Sequence, residues 1–464
     1  MAKYDKNTTP INFAPPSIKL AGVGAAELAI SALSKYLEIS LNRTTTYLIG
    51  TDAVDRITNY LQSAHLLFLV AGIATLIAAA LVHIFQSDAS KIHLMVAKAL
   101  FASEHGNPLK FKDGELLPKI SCRRVESDIF ELTITATTVT VEKLIDVSDN
   151  ISACLSGKYE NYAVTDTSPD LALNKVCFRI EDVEASKALN IGSIDELCPM
   201  DKTRLVVQQG TSIDLRTSGS MLVAGKTRSG KTTGVISLLL QVLLAGSDDY
   251  LSQVLIIDPK QAELSRLSNT VTLNGDGEAT TILEAIKYFA ETIRIRQEIL
   301  NDLSEIEGNA VNWWESKMKP SFLFIDEYVA LRSILPKRTK DNGDYNLENF
   351  DNLIKRIVTM GASAGCFIII SIAEASVNEG GLPAMLRSAC STKILFKPTI
   401  TEARLMWDSE KLRNFHDRNY NVGDAWFSST DGINDNVSFV HFPVMEFEVF
   451  RELSKLLRAY YHTL

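Results

Sequence analysis

Residues 221–233 read Met-Leu-Val-Ala-Gly-Lys-Thr-Arg-Ser-Gly-Lys-Thr-Thr. Residues 225–232 fit the spacing G-x-x-x-x-G-K-[ST] at every defined position, and that spacing answers a physical need. Gly225 and Gly230 let the chain turn tightly, so that the backbone around Lys226, Thr227, Arg228 and Ser229 can wrap its N–H groups about a phosphate. Lys231 adds a positive charge for the outer phosphates of ATP. The Thr232 hydroxyl, followed by Thr233, is a hard oxygen ligand suited to Mg2+. Apolar residues 221–224 predict a buried strand entering the loop, and 235–244 predict the helix leaving it with its positive end toward the anion. The segment reads as a nucleotide site.

Outward from this loop the same grammar repeats. From residue 203 onward strand, loop and helix alternate, which predicts an α/β fold: a P-loop NTPase with a parallel sheet and helices on both faces. Strand candidates are 221–224, 254–257, 322–325, 367–370 and 392–396, and residues 280–303 predict a long helix. The strand at 322–325 ends in Asp326 and Glu327. A phosphate loop alone binds nucleotide, whereas turnover needs an acid to hold the metal and a group to orient water. Asp326 is expected in the Mg2+ shell with Thr232, and Glu327 is expected to polarise the attacking water. The plain alternative is an acidic pair that caps the next helix. A third strand ends in Asp258, Pro259 and Lys260, where an open α/β sheet faces its ligand crevice; an ordinary strand and turn explains it equally well.

The chain ahead of this motor-like half divides differently. Residues 1–17 hold three prolines among polar residues and predict extended chain, with no secretory signal. Residues 18–39 are Ala-rich but carry Glu27, Lys35 and Glu38, which fits either a poor membrane span or an amphipathic helix. Residues 66–85 are different in kind: the first seventeen hold no charge and only Thr75 as a polar group, and twenty residues of helix cover about 30 Å. They predict a transmembrane helix, and a nucleotide site at 225–232 then has to face the cytoplasm. Residues 90–200 predict a small α+β domain, with a strand or hairpin at 129–141 and a strand at 174–180. The motor would occupy 201–464.

Composition sets limits on function. The 464 residues carry a net charge of −9, so a nucleic-acid role requires positive charge concentrated locally. One local concentration is the basic run 335–340, Leu-Pro-Lys-Arg-Thr-Lys, a candidate phosphate contact or a solvated loop. Trp313 and Trp314 could stack on bases, though core packing is the simpler reading. The six cysteines are scattered, with no C-x-x-C pair, and predict inert reduced thiols.

With these segments in place the chain resembles the FtsK/SpoIIIE family of DNA-pumping ATPases. The resemblance rests on residues 221–233 (MLVAGKTRSGKTT), 254–265 (VLIIDPKQAELS), 322–331 (FLFIDEYVAL), 392–396 (TKILF) and 422–427 (VGDAWF), in the family's order, with a hairpin-like stretch at 205–215 ahead of them. It implies a RecA/FtsK-like motor in the cell membrane, forming homo-oligomeric rings that are commonly hexameric, with DNA in the pore independent of its sequence and ATP between subunits. Two departures stand out. Residues 371–375 read Ser-Ile-Ala-Glu-Ala, with Ala373 where relatives place a phosphate-sensing glutamine, and residues 360–365 lack the arginine of the family's K-A-R-A-A-G. A replacement for an arginine supplied in trans is then needed; Arg356, Arg387 and Arg404 are candidates, and Arg404 aligns with a family arginine. The C-terminal DNA-reading module of chromosome-segregating members is not expected after the motor. This layout is similar to the FtsK-like coupling proteins of Gram-positive conjugative elements, which implies relaxase and secretion-channel partners. A type VII-like protein-secretion ATPase and a nucleotide-binding scaffold with little turnover are the alternatives.

Overall fold

The computed structural model describes residues 3–5, 15–44, 51–102, 107–126, 128–185, 187–373, 382–412, 415 and 418–462. Two units divide the chain, residues 1–185 and 186–464. Of the sequence expectations, most of the extended segment at 1–17 and Glu374 and Ala375 lie outside the described residues.

The first unit begins with α1 (Pro16–Thr44) and α2 (Thr51–Phe85), which pack against each other. Gly24 and Gly72 make the close approach: a Cβ on Gly72 would lie 2.8 Å from the Leu28 side chain and 3.1 Å from the Gly24 carbonyl oxygen. Polar groups between the helices pair with each other. The Thr75 hydroxyl donates to Glu27 at 2.8 Å and the Ser31 hydroxyl to the His65 carbonyl at 2.9 Å. Both helices are long and apolar enough to cross a membrane, over Pro16–Leu41 and Val54–Phe85. Helix α2 starts well before Leu66 because residues 51–65 are helical yet too polar for hydropathy alone to mark them.

The same unit continues with α3 (Asp88–Phe101), β1 (Lys119–Glu126), β2 (Ile129–Thr135), α4 (Val141–Ile145), α5 (Ser148–Cys154), β3 (Tyr162–Pro169) and β4 (Lys175–Asp182). The four strands form an antiparallel sheet in the order β1-β2-β4-β3. Period-two alternation buries Phe130, Leu132 and Ile134 of β2 and Val176, Phe178 and Ile180 of β4 in one core with α3, α4 and α5. Strand β2 ends at Thr135 instead of running to 141, and Thr137 and Thr138 turn their hydroxyls to the Leu116 carbonyl. Its hairpin partner is the preceding strand β1, whose mixed polar sequence carries little hydrophobic signal.

The second unit runs β5 (Asn190–Ile191), β6 (Arg204–Gln208), β7 (Thr211–Asp214), β8 (Met221–Gly225), α6 (Lys231–Leu244), β9 (Val254–Ile257), β10 (Thr270–Val271) and α7 (Thr280–Glu307). It continues with β11 (Ser321–Ile325), α8 (Tyr328–Ile334), α9 (Leu347–Met360), β12 (Cys366–Ile372), α10 (Ala384–Ala389) and β13 (Thr392–Phe396). The closing elements are α11 (Ile400–Met406), β14 (Asp424–Ser429), β15 (Ser438–His441), β16 (Val444–Met445) and α12 (Val449–His462). Strands β6 and β7 form the hairpin ahead of the motor, and β5 pairs with β16 within this unit. The main sheet has eight strands in the order β10-β9-β11-β12-β8-β13-β14-β15, parallel from β10 to β13 and antiparallel in the last two pairings.

Its central strands are buried on both faces and therefore read as continuous apolar runs. Leu222, Leu323, Ile325, Ile368 and Ile370 face a core built with α7, α8 and α9; Met221, Val223, Phe322, Phe324 and Ile369 face one built with α6 and α12. The buried Gln241 amide ties α6 to β6, accepting from the Val206 N–H at 2.7 Å and donating to its carbonyl at 2.9 Å. Trp313 is fully buried, edge-on to Phe367 and hard against Gly365, where a Cβ would lie 2.6 Å from the indole; it packs the core and is closed to bases.

Candidate functional site

Parallel register brings the C-terminal ends of five strands to one edge of the sheet. Gly225 of β8 pairs with Phe396 of β13, Ala224 with Ile372 of β12, and Ile325 of β11 with Ile370 of β12 and Ile257 of β9. The glycine-bounded loop leaves this edge and feeds α6 at Lys231. Its shape needs its glycines. Gly230 has φ +96°, and a Cβ there would lie 2.5 Å from the Gly423 nitrogen; a Cβ on Gly225 would meet Phe396 at 2.7 Å and the Ser229 hydroxyl at 2.9 Å. Arg228 also takes a positive φ, +65°. The Gly423 N–H donates to the Ser229 carbonyl at 3.1 Å, so the turn before β14 clamps the loop from behind. That turn is itself braced. Asp424 accepts from the Asn421 N–H at 2.6 Å and pairs with the His441 ring at 2.7 Å.

The loop lysine and the acidic pair come together. The Lys231 ammonium donates to Glu327 Oε1 at 3.1 Å and to the Ile372 carbonyl at 3.1 Å. Glu327 follows Asp326 off the end of β11 in a left-handed conformation, φ +57° and ψ +59°, at the cap of α8. A glutamate rarely adopts that conformation, and such residues cluster at functional sites. Its second oxygen meets Lys260 Nζ at 3.4 Å. The Asp326 Oδ1 accepts from the Ser371 hydroxyl of β12 at 3.1 Å. Burial holds the Asp326 carboxyl above its ordinary range, Lys231 pulls the other way, and Glu327 adds to the rise.

These residues fit a nucleotide with a hard cation. The Ser229 hydroxyl, inside the cradle, is buried without a hydrogen-bond partner. Asp326 is a desolvated carboxylate that accepts one side-chain hydroxyl. Among the described residues no group of three or more His, Cys, Asp or Glu is arranged to hold a metal by itself.

Arg404 stands apart. It is exposed on α11, whose N-terminus is closed by a Thr399–Glu402 capping box, and it lines a cavity of about 320 Å3 with Arg387, Lys393 and Lys411. An ion pair, Lys226 Nζ to Glu402 at 3.7 Å, links α11 to the loop. Lys337, Arg338 and Lys340 are exposed, with Arg338 paired to Glu348. Sequence reasoning missed the Ser371 hydroxyl on Asp326 and the Gly423 clamp. The latter has a signal after the fact, a glycine before the conspicuous acid of VGDAWF.

The family model described as FtsK/SpoIIIE family matches residues 204–364. This stretch is an FtsK/SpoIIIE-family domain. Its match runs from β6 to just past α9, and so includes the glycine-bounded loop and the acidic pair. The Ftsk domain-containing protein YdcQ of Bacillus subtilis is 26% identical over 150 residues, 32% of this chain and 28% of that protein. The DNA translocase FtsK of Clostridium acetobutylicum is 26% identical over 197 residues, 39% of this chain and 24% of that protein. The chain thus matches about a quarter of the length of these curated relatives. Among solved structures, the pCW3 conjugation coupling protein TcpA, a monomer with ATPγS, is 15% identical with a TM-score of 0.47, covering 80% of this chain and 99% of that one. The matched stretch carries the P-loop spacing at 225–232 in an α/β fold.

Proposed function

We propose that the chain is a membrane-anchored, ATP-driven DNA translocase, the coupling protein that hands relaxase-bound DNA to a conjugative secretion channel. The observation that supports this most directly is the meeting of Lys231, Asp326 and Glu327 at one sheet edge inside an FtsK/SpoIIIE domain. Residues 225–233 wrap the phosphates of ATP with backbone N–H groups, and Lys231 leaves Glu327 to neutralise the outer ones. Thr232 and Asp326 would hold Mg2+, which would neutralise charge on the phosphates. Glu327 then accepts a hydrogen bond from the attacking water and orients it in line with the bond that breaks. Arg404 of a neighbouring copy in a hexameric ring supplies charge from outside. Helices α1 and α2 anchor the chain, with the motor on the cytoplasmic side. Exposed lysines of the 335–340 run contact DNA phosphates without reading sequence.

The full chain in detergent tests this by steady-state ATP hydrolysis with and without DNA. Stimulation by DNA of any sequence is expected, with turnover lost and ATP binding kept in Glu327→Gln. Turnover indifferent to DNA would favour a type VII-like protein exporter. A second reading, a nucleotide-binding scaffold, is favoured by Ala373 and the missing arginine. ATP binding without hydrolysis in the wild-type chain would support it.

A further inference from the structure

Two cations share one catalytic carboxylate: Lys231 Nζ lies on Glu327 Oε1 and Lys260 Nζ on Oε2. The two cannot have the same job. Lys231 sits at the first turn of α6 behind the phosphate cradle, and a bound triphosphate draws it away. Lys260 comes from a different strand end and has its main chain pinned. The Asp258 carboxylate, fully buried, accepts from the N–H groups of Lys260 at 3.1 Å, Ala262 at 2.8 Å and Ser265 at 3.1 Å, and Pro259 restricts the turn between them. Asp258 has spent its oxygens on the backbone, so the function of the Asp-Pro-Lys run rests with its lysine.

We propose that Lys260 is a positioning residue. It holds Glu327 Oε2 when Lys231 departs to the phosphates, leaving Oε1 vacant as the acceptor for water. The need arises from local chemistry. Glu327 is in a left-handed backbone conformation beside Asp326, and its carboxylate is largely enclosed. Without a second cation it is free to swing to the metal shell, where it orients no water. Lys260 touches neither nucleotide nor water; it acts through Glu327. This inference rests on the ATPase reading given above.

The test uses the full chain with Mg-ATP and DNA, comparing wild type, Lys260→Met, Lys260→Arg, Glu327→Gln and the double variant Lys260→Met/Glu327→Gln. Turnover is read by single-turnover phosphate release and affinity by a fluorescent ATP analogue. Lys260→Met is expected to lower kcat about ten-fold or more, to leave nucleotide Kd within about two-fold, and to recover at least about half of the wild-type rate as Lys260→Arg. In the Glu327→Gln background it should add less than about two-fold, because residues acting as one unit do not add. A wild-type rate in Lys260→Met, an equal loss of nucleotide affinity, no rescue by arginine, or a full additional loss in the double variant each overturns the proposal. Lys260 is half exposed, and melting temperatures of both variants guard against misfolding; Lys260→Gln replaces Lys260→Met if that variant is unstable. A wild-type chain that binds ATP without hydrolysing it overturns the ATPase reading itself, an outcome distinct from an active wild type with an indifferent Lys260.

Discussion

Asp258 and Asp326 follow neighbouring parallel strands at the same level, each directly after an isoleucine of a register pair, Ile257 and Ile325. In sequence they look alike, one acid at the end of one apolar run. Their surroundings separate them. Asp258 accepts three backbone N–H bonds and is fully buried, so it is part of the scaffold. Asp326 accepts one hydroxyl, and burial holds its carboxyl above the ordinary range. A buried carboxylate with three of its roughly four lone-pair sites taken by backbone has little left to offer a ligand, whereas an underbonded one in a dry place awaits a cation. The accounting of acceptors, not the position in the chain, tells structural from functional.

Exchange for asparagine should split the two. Asp326→Asn is expected to lower turnover on the order of a thousand-fold and to leave the melting temperature unchanged or slightly raised. The sign follows from the raised carboxyl: at neutral pH the folded chain bears a penalty for the ionised form, and the amide removes it. Asp258→Asn is expected to destabilise the second unit by about 2–3 kcal/mol, read as an earlier unfolding transition, with turnover recovering as temperature is lowered. A destabilised Asp326→Asn together with an inactive but stable Asp258→Asn would reverse the assignment.

The glycines repeat the lesson in the backbone. Gly230 and Gly423 both take positive φ, +96° and +94°, and both border the cradle. A Cβ on Gly230 would strike the Gly423 nitrogen at 2.5 Å, whereas a Cβ on Gly423 would find nothing nearer than the Phe442 carbonyl at 3.6 Å. Gly230→Ala is therefore expected to weaken ATP binding at least about ten-fold, since steric displacement of the loop adds to about 1–2 kcal/mol of left-handed strain. Gly423→Ala carries the strain alone, and its ATP affinity should stay within a few-fold. Equal losses in the two would show that conformation, not contact, sets the cradle.

Much of this was legible in the chain. Burial on both faces writes β8, β9, β11 and β12 as short uninterrupted apolar runs, and the phosphate loop needs its glycines and lysine at fixed spacing, so both leave patterns. Strand β1 left none, because one face is open and its residues are mostly polar. Contacts across strands are also invisible: nothing in the residues around Ser371 announces a bond to Asp326, and nothing around Lys260 announces Glu327. The beginning of α2 was hidden because helix formation and hydropathy are different properties.

A third acid, in the first unit, shifts the opposite way from Asp326. Asp88, at the start of α3, accepts from the Tyr159 hydroxyl at 2.5 Å and from Lys158 at 3.1 Å, with Lys91 at 3.8 Å. The Tyr159 bond, opposed by burial and aided by Lys158, holds the carboxyl below its ordinary range. A folded-state value depressed below about 4 stabilises the fold fully above that pH, and the stabilisation drains away as pH falls through the lowered value. Unfolding of the first unit, followed from pH 7 to pH 3, should show this acid-side loss. Tyr159→Phe should remove most of it, at a cost of about 0.5–1.5 kcal/mol at neutral pH. Lys158→Ala should remove little, because that side chain is 68% exposed and its ion pair is screened. If the lysine variant proved the more costly, charge rather than a short hydrogen bond would govern Asp88, and counting bonds accepted would not separate it from Asp326.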